Sequence, residues 1–207
     1  MISSNQQHTL ATDLQFEGIG LHTGEQAQLR ILPGEANTGY VFVRKDFEGA
    51  PSIEAHVSNV GETLRGTTLQ SGDVTVHTTE HVLAALYASG IDNAVLELDG
   101  PEVPILDGSA LPFMSQIEEA GSTEQEADRR FFKVRKNISY RGEDGVEMLV
   151  VPLEEDEFKV TVMVDYNSPV LGTQHARMEH LGAFKEDIAS CRTFVFLKEV
   201  ASLAEQG

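Results

Sequence analysis

The sequence predicts an α+β chain, on three observations. Segments of strand character and segments of helix character come in blocks: strands, then helices, then strands, then helices. The strict alternation of a parallel doubly wound sheet is absent. Turn dipeptides such as Pro33-Gly34 and Ser71-Gly72 punctuate the strand blocks. Finally, residues 121–129 (GSTEQEADR) are polar without apolar periodicity, which predicts a first domain over 1–121, a linker over 122–129 and a second unit over 130–207.

Residues 9–16 (TLATDLQF) and 26–32 (QAQLRIL) read as strands separated by a long turn holding Gly18, Gly20 and Gly24. Tyr40–Arg44 is β-branched and aromatic and predicts a third strand, and 67–69 with 73–77 predict the arms of a hairpin. A helix is expected over 79–89. Thr78 or Thr79 is placed to cap it, Glu80 suits the positive end of its dipole, and Gly90 closes it. Residues 93–98 follow as a strand, and Ser109 is expected to cap a second helix ending near Gly121. Further strands are expected over 131–141, 147–152, 158–165 and 174–180, with helical character over 183–190 and 196–206.

The net charge of −18 argues against nucleic-acid partners and against an RNA-binding α+β domain, because such proteins neutralise phosphates with Lys and Arg. A small anionic ligand remains compatible, since a few local donors overcome a mean field. No apolar run is long enough for a transmembrane segment. The first residues lack a basic stretch followed by an apolar one, so a cytoplasmic protein is expected. The single cysteine, Cys191, leaves no internal disulfide and requires any metal to use His and carboxylate ligands; beside Arg192, it reads as a small buried thiol.

Glu80 and His81 stand in the first turn of the expected helix, directly after a strand. A neutral imidazole there can ligate a metal, and the adjacent carboxylate can reach a metal-bound water. On its own the pair reads first as a dipole-compatible surface pair, and it is not the H-E-x-x-H of zinc proteases. His175 and Glu179 are four apart, but their segment reads as extended, where that spacing builds no metal site. His77 reads as a packed strand histidine.

Taken in order, GIGLHTG (18–24), TLRGTTL (63–69), TTEHVLAAL (78–86), IDN (91–93), PEVPILDGSALPF (101–113), VTVMVDYNSPVLGTQ (160–174) and CRTFVF (191–196) closely resemble the UDP-3-O-acyl-N-acetylglucosamine deacetylases of lipid A synthesis. The resemblance covers nearly the whole chain. The wording of 168–175 and 191–197 is most similar to members in which a 3-hydroxyacyl-carrier-protein dehydratase is fused downstream. The resemblance implies zinc as cofactor, His81 as a zinc ligand, Glu80 as general base and Thr193 as a donor to the tetrahedral oxyanion. It further implies an auxiliary role for His22, near the mouth of the site. Asp107 would be a carboxylate orienting a histidine, with a turn residue before the Ser109 cap as the competing account. Asp165 and Tyr166 would lie at a uridine site, against a Tyr packed on its own domain. The implied substrate is a UDP-linked, O-acylated N-acetylglucosamine.

The resemblance also implies two similar sheet-and-helix sandwich domains, and here the sequence departs from the family. A later H-x-x-x-D zinc motif and a later catalytic histidine belong to the family pattern, yet no histidine follows His180. The expectation is therefore a complete first domain, an incomplete second one, and a 207-residue chain inactive without a missing C-terminal half. The rival expectation is a non-catalytic nucleotide-sugar-binding or scaffold fragment without stable metal.

Overall fold

A computed structural model of the chain describes residues 5–154 and 157–197. In chain order the first 121 residues hold β1 (Gln6–Leu10), β2 (Leu14–Ile19), β3 (Gln26–Pro33), β4 (Tyr40–Arg44), β5 (Ser52–Glu54), β6 (Leu69–Ser71), β7 (Val74–Val76), α1 (Glu80–Ala88), β8 (Ala94–Leu98) and α2 (Leu111–Ala120). The α+β expectation holds. A five-stranded sheet runs β2-β3-β8-β4-β5, all neighbours antiparallel except β4 with β8, and β6 pairs with β7 as a hairpin.

Strand alternation explains the layers. Along β3, Ala27, Leu29 and Ile31 are buried while Gln28 and Arg30 are exposed. The buried face, with Phe16, Phe42, Ile53, Leu96 and Leu98, belongs to one core with Val82, Ala85 and Leu86 of α1 and Phe113, Met114 and Ile117 of α2. The rings of Phe16 and Phe113 approach to 4.9 Å between centroids. The opposite face is charged: Arg30 pairs with Asp13 at 2.9 Å and Lys45 with Glu97 at 3.4 Å.

The expected strand 9–16 is two strands. Ala11 donates its N–H to Gly121 at 3.1 Å, and the bend after Leu10 sends β1 and β2 to different sheets. The expected linker is itself a strand, β9 (Ser122–Asp128), antiparallel to β1. Its missing apolar period reflects its solvent exposure: only Gln125 and Ala127 are partly covered.

An amide clasp holds this pair. Asn93, 1% exposed, donates to the side-chain oxygens of Gln7 and Gln125, both at 2.8 Å, and accepts the Gly39 N–H at 2.8 Å. Beside it, one Asp92 oxygen accepts the His8 N–H at 2.7 Å and Arg129 Nε at 2.9 Å. Tyr40 donates its hydroxyl to the Ile91 carbonyl at 2.5 Å, and burial raises its pKa well above the usual phenol value. The Ile91-Asp92-Asn93 motif is thus a structural knot.

From residue 130 the chain forms two hairpins, β10 (Ile138–Arg141) with β11 (Glu147–Val150) and β12 (Val160–Asp165) with β13 (Thr173–Met178), followed by a one-turn helix, α3 (Phe184–Asp187). Residues 131–137 are not strand, and the helix expected over 183–190 is reduced to a 3₁₀ turn and α3. The helix expected over 196–206 falls almost wholly outside the described residues. Both hairpins expose apolar side chains, among them Met148 and Met163, and Phe132 ahead of them is 90% exposed. The α3 region packs on the same core: Phe184 and Ala189 belong to it, Lys185 pairs with Glu118, and the Tyr87 and Phe158 rings meet edge-on at 6.2 Å.

Candidate functional site

Through three threonines, the start of α1 is tied to the segment just before the β6–β7 hairpin and to Glu102, in a way the sequence did not suggest. Thr79 occupies the cap position, but its hydroxyl donates to the Thr67 carbonyl (3.0 Å) and does not cap the helix. Glu80 Oε2 accepts the Thr67 N–H at 2.9 Å. Thr78 takes a left-handed backbone (φ 57°), unusual for a β-branched residue, and its hydroxyl donates to Glu102 at 2.6 Å. This arrangement fixes the Glu80 backbone and one of its oxygens.

The other Glu80 oxygen and the His22 ring both border the space beside Gly66. A Cβ placed on Gly66 would lie 3.5 Å from Glu80 Oε1, 3.6 Å from His22 Nε2 and 3.8 Å from the Thr78 hydroxyl, so three polar groups converge on the space Gly66 leaves. His81, next along α1, is half-buried and stands outside the hydrophobic core. Because those distances are ordinary contacts, Gly66→Ala is expected to leave the melting temperature within about a degree. Its methyl would fill the space between His22 and Glu80.

Glu102 was not singled out from the sequence, although a carboxylate inside the apolar Pro101–Ile105 stretch is a legible anomaly. It is 1% exposed and accepts the N–H of His22 (3.0 Å), the N–H and hydroxyl of Thr23 (2.8 and 3.0 Å) and the Thr78 hydroxyl. Burial alone would raise its pKa. The Thr78 hydroxyl and the Thr23 and His22 donors outweigh burial and hold it below the ordinary value. A depressed folded-state pKa gives stability that is present above the unfolded value and lost as pH falls through the folded one. Wild type should therefore lose thermal stability below about pH 4.5 more steeply than Glu102→Gln, as read from melting curves across pH.

A second group of expected residues gathers around the 106–109 turn. Asp107 Oδ1 accepts both the N–H (3.0 Å) and the hydroxyl (2.8 Å) of Ser109, and Arg192 lies 3.4 Å from Oδ2. Those donors, the Ser109 hydroxyl foremost, lower its pKa against burial. Among the described residues Asp107 has the turn role, with no histidine on it. Ser109 precedes the cap of α2, which is Ala110, and its hydroxyl accepts the Leu111 N–H at 3.3 Å. Thr193 is exposed and donates its N–H to the Gly108 carbonyl at 3.0 Å, so CRTFVF docks on this turn.

Asp165 is exposed and accepts the Asn167 N–H at 2.9 Å. Tyr166 is half-buried in a three-ring cluster with Phe194 and Phe196, at 5.6 and 6.2 Å. Cys191 is exposed, contrary to the buried thiol expected. His77 is a packed histidine between the hydroxyls of Thr68 (3.0 Å) and Thr75 (3.3 Å). His175 and Glu179 lie on or beside an extended strand, where four residues span about 13 Å.

The structure thus places His22 and Glu80 around one space at Gly66, and separately docks Thr193 on the turn that holds Asp107. Among the described residues no three His, Cys, Asp or Glu side chains are grouped to hold a metal ion. The described residues supply one imidazole at the helix start and do not by themselves fit a zinc ion, which needs three protein ligands in catalytic sites.

The family model for UDP-3-O-acyl N-acetylglycosamine deacetylase (LpxC) matches residues 7–207. The chain is 46% identical over 203 residues to a bifunctional LpxC/FabZ enzyme of Chlorobaculum tepidum, covering 97% of this chain and 43% of that protein. It is 44% identical to the bifunctional LpxC/FabZ enzyme of Porphyromonas gingivalis, covering 96% and 43%. It is 42% identical to the UDP-3-O-acyl-N-acetylglucosamine deacetylase of Geobacter sp. strain M21, covering 97% and 65%. The chain therefore spans about two fifths of the fused relatives and just under two thirds of the single-function one. With Glu80 and His81 at the start of α1 and the family pattern running through both halves, this chain belongs to the UDP-3-O-acyl N-acetylglycosamine deacetylase family.

Proposed function

We propose that the full-length protein is a zinc-dependent amidohydrolase that removes the N-acetyl group of UDP-3-O-(3-hydroxyacyl)-N-acetylglucosamine in lipid A biosynthesis, in the cytoplasm. The observation that carries this reading is the convergence of His22 and Glu80 on the space left by Gly66, beside His81. Glu80 is held by Thr67 with one oxygen facing that space, as a base needs to be if it is to take the proton of a water attacking an amide carbonyl. Thr193 is a hydroxyl donor for the oxyanion, and His22 a polar neighbour at the site mouth. Asp165 and Tyr166 are assigned to the nucleotide, the Tyr166 ring cluster providing an apolar wall for uracil.

His81 is assigned as one zinc ligand. The remaining ligands and the cover for the exposed hairpin faces are assigned to the further length that the relatives have, and a fused dehydratase to the longest form. No helix among the described residues is long and apolar enough to cross a membrane.

The absence of a three-ligand group among the described residues favours a second reading for residues 1–207 alone: a nucleotide-sugar-binding fragment without stable metal. Zinc by elemental analysis and hydrolysis of the UDP-linked substrate, measured on the full-length protein and on the 207-residue chain, separate the two. The expected result is stoichiometric zinc and turnover in the first and neither in the second. A full-length protein that leaves the acetyl group in place would overturn the proposal.

A further inference from the structure

The buried carboxylate of Glu102 has every one of its partners in the two segments that deliver His22 and Glu80 to the site. On one side it accepts the backbone N–H of His22 and the N–H and hydroxyl of Thr23; on the other it accepts the hydroxyl of Thr78, two residues before Glu80. A carboxylate this enclosed is uncommon unless fully hydrogen-bonded, and four donors satisfy it. Space for it is also built in. A Cβ on Gly20 would fall 2.4 Å from Glu102 Oε2, so the 20–24 loop can close over the carboxylate only with glycine there.

One cost of the local backbone points the same way. Thr78 is held at φ 57°, which a β-branched residue adopts only when its surroundings impose it. In this conformation its hydroxyl makes the 2.6 Å contact to Glu102. The same hydroxyl lies 3.8 Å from the Gly66 Cβ position on which His22 Nε2 and Glu80 Oε1 converge. Glu102 is therefore the common anchor of both walls of that space, while being itself shut off from it.

We propose that Glu102 is a positioning residue that fixes the His22 loop opposite Glu80 and so sets the geometry of the amidase site. The inference rests on the proposed deacetylase reading for its kinetic consequence, and on the loop geometry alone for its structural one. Glutamine at 102 keeps one oxygen but turns an NH₂ toward backbone N–H donors. Without the charged acceptor the loop over 20–24 is held less tightly, and His22 with it. A misplacement of about 1 Å at a reacting centre costs on the order of 10²-fold in rate.

The test uses the full-length protein with Glu102→Gln, His22→Ala and the double variant. Hydrogen exchange of the His22 and Thr23 amides should speed by at least tenfold in Glu102→Gln. In the amidase assay kcat should fall roughly 10–100-fold with KM little changed. In the His22→Ala background the further loss from Glu102→Gln should be only a few-fold, because the two act through one geometry. If Glu102→Gln does not fold, Thr23→Ala removes one donor while three remain, and the same readouts apply with smaller effects. Unchanged exchange at His22 and Thr23, or additive losses in the double variant, would overturn the proposal. A wild type without amidase activity would instead refute the deacetylase reading, and the exchange measurement would still decide whether Glu102 holds the loop.

Discussion

Glu80→Gln in the full-length protein is expected to lower kcat for deacetylation by about 10²–10⁴-fold, the usual contribution of a general base, while leaving bound zinc unchanged. The amide can still accept the Thr67 N–H that Glu80 Oε2 accepts at 2.9 Å, so the helix start keeps its geometry. Only the capacity to take a proton at neutral pH is lost. His81→Ala should behave differently, lowering zinc content and rate together. Elemental analysis beside steady-state kinetics on both variants checks the pair. Equal zinc in wild type and His81→Ala would remove His81 from the ligand set, and full activity in Glu80→Gln would remove Glu80 from proton transfer.

The largest stability effect is expected from Asn93→Ala. Truncation orphans the Gly39 N–H and the Gln125 side-chain oxygen, and each buried unsatisfied group costs about 1–3 kcal/mol. Gln7 fares better, since its oxygen also accepts the Asn37 N–H at 2.8 Å. The loss should appear as a lower denaturant midpoint with an unchanged m-value. A midpoint within error of wild type would show that the clasp contributes nothing net.

The first 121 residues were legible because their strands alternate and their helices carry an apolar stripe. Leu29 and Ile31 against Gln28 and Arg30 show β3 plainly, and Val82 and Leu86 show α1. What the sequence hid was hydrogen-bonded rather than hydrophobic. β9 has no apolar period because its strand pairing with β1 is backbone work, assisted by Gln7 and Gln125. Glu80 and His81 were readable as a helix-start pair. Their partner His22 came from family resemblance, and the meeting point at Gly66 needed coordinates, since no spacing rule links residues 22, 66 and 80. Glu102 and the Thr78 backbone were missed for a related reason: a buried acid reveals its role only through donors 24 and 80 residues away. Asp107 is the converse case, where local Ser109 bonding already accounts for the turn.

The β1–β9 pairing has a consequence for how the protein is made. Gln7 bonds to the backbone of Asp128, 121 residues later. At ribosomal speeds of about 5–20 residues per second, the first strand to emerge waits roughly 6–24 s for its partner. During that interval β1 has no ladder, although β2 can already pair with β3 and β4 with β5. Leu10, almost wholly buried at the end, spends the wait exposed. β1 is thus held open on the nascent chain until β9 is made, and that is the interval in which a holding chaperone would act on it.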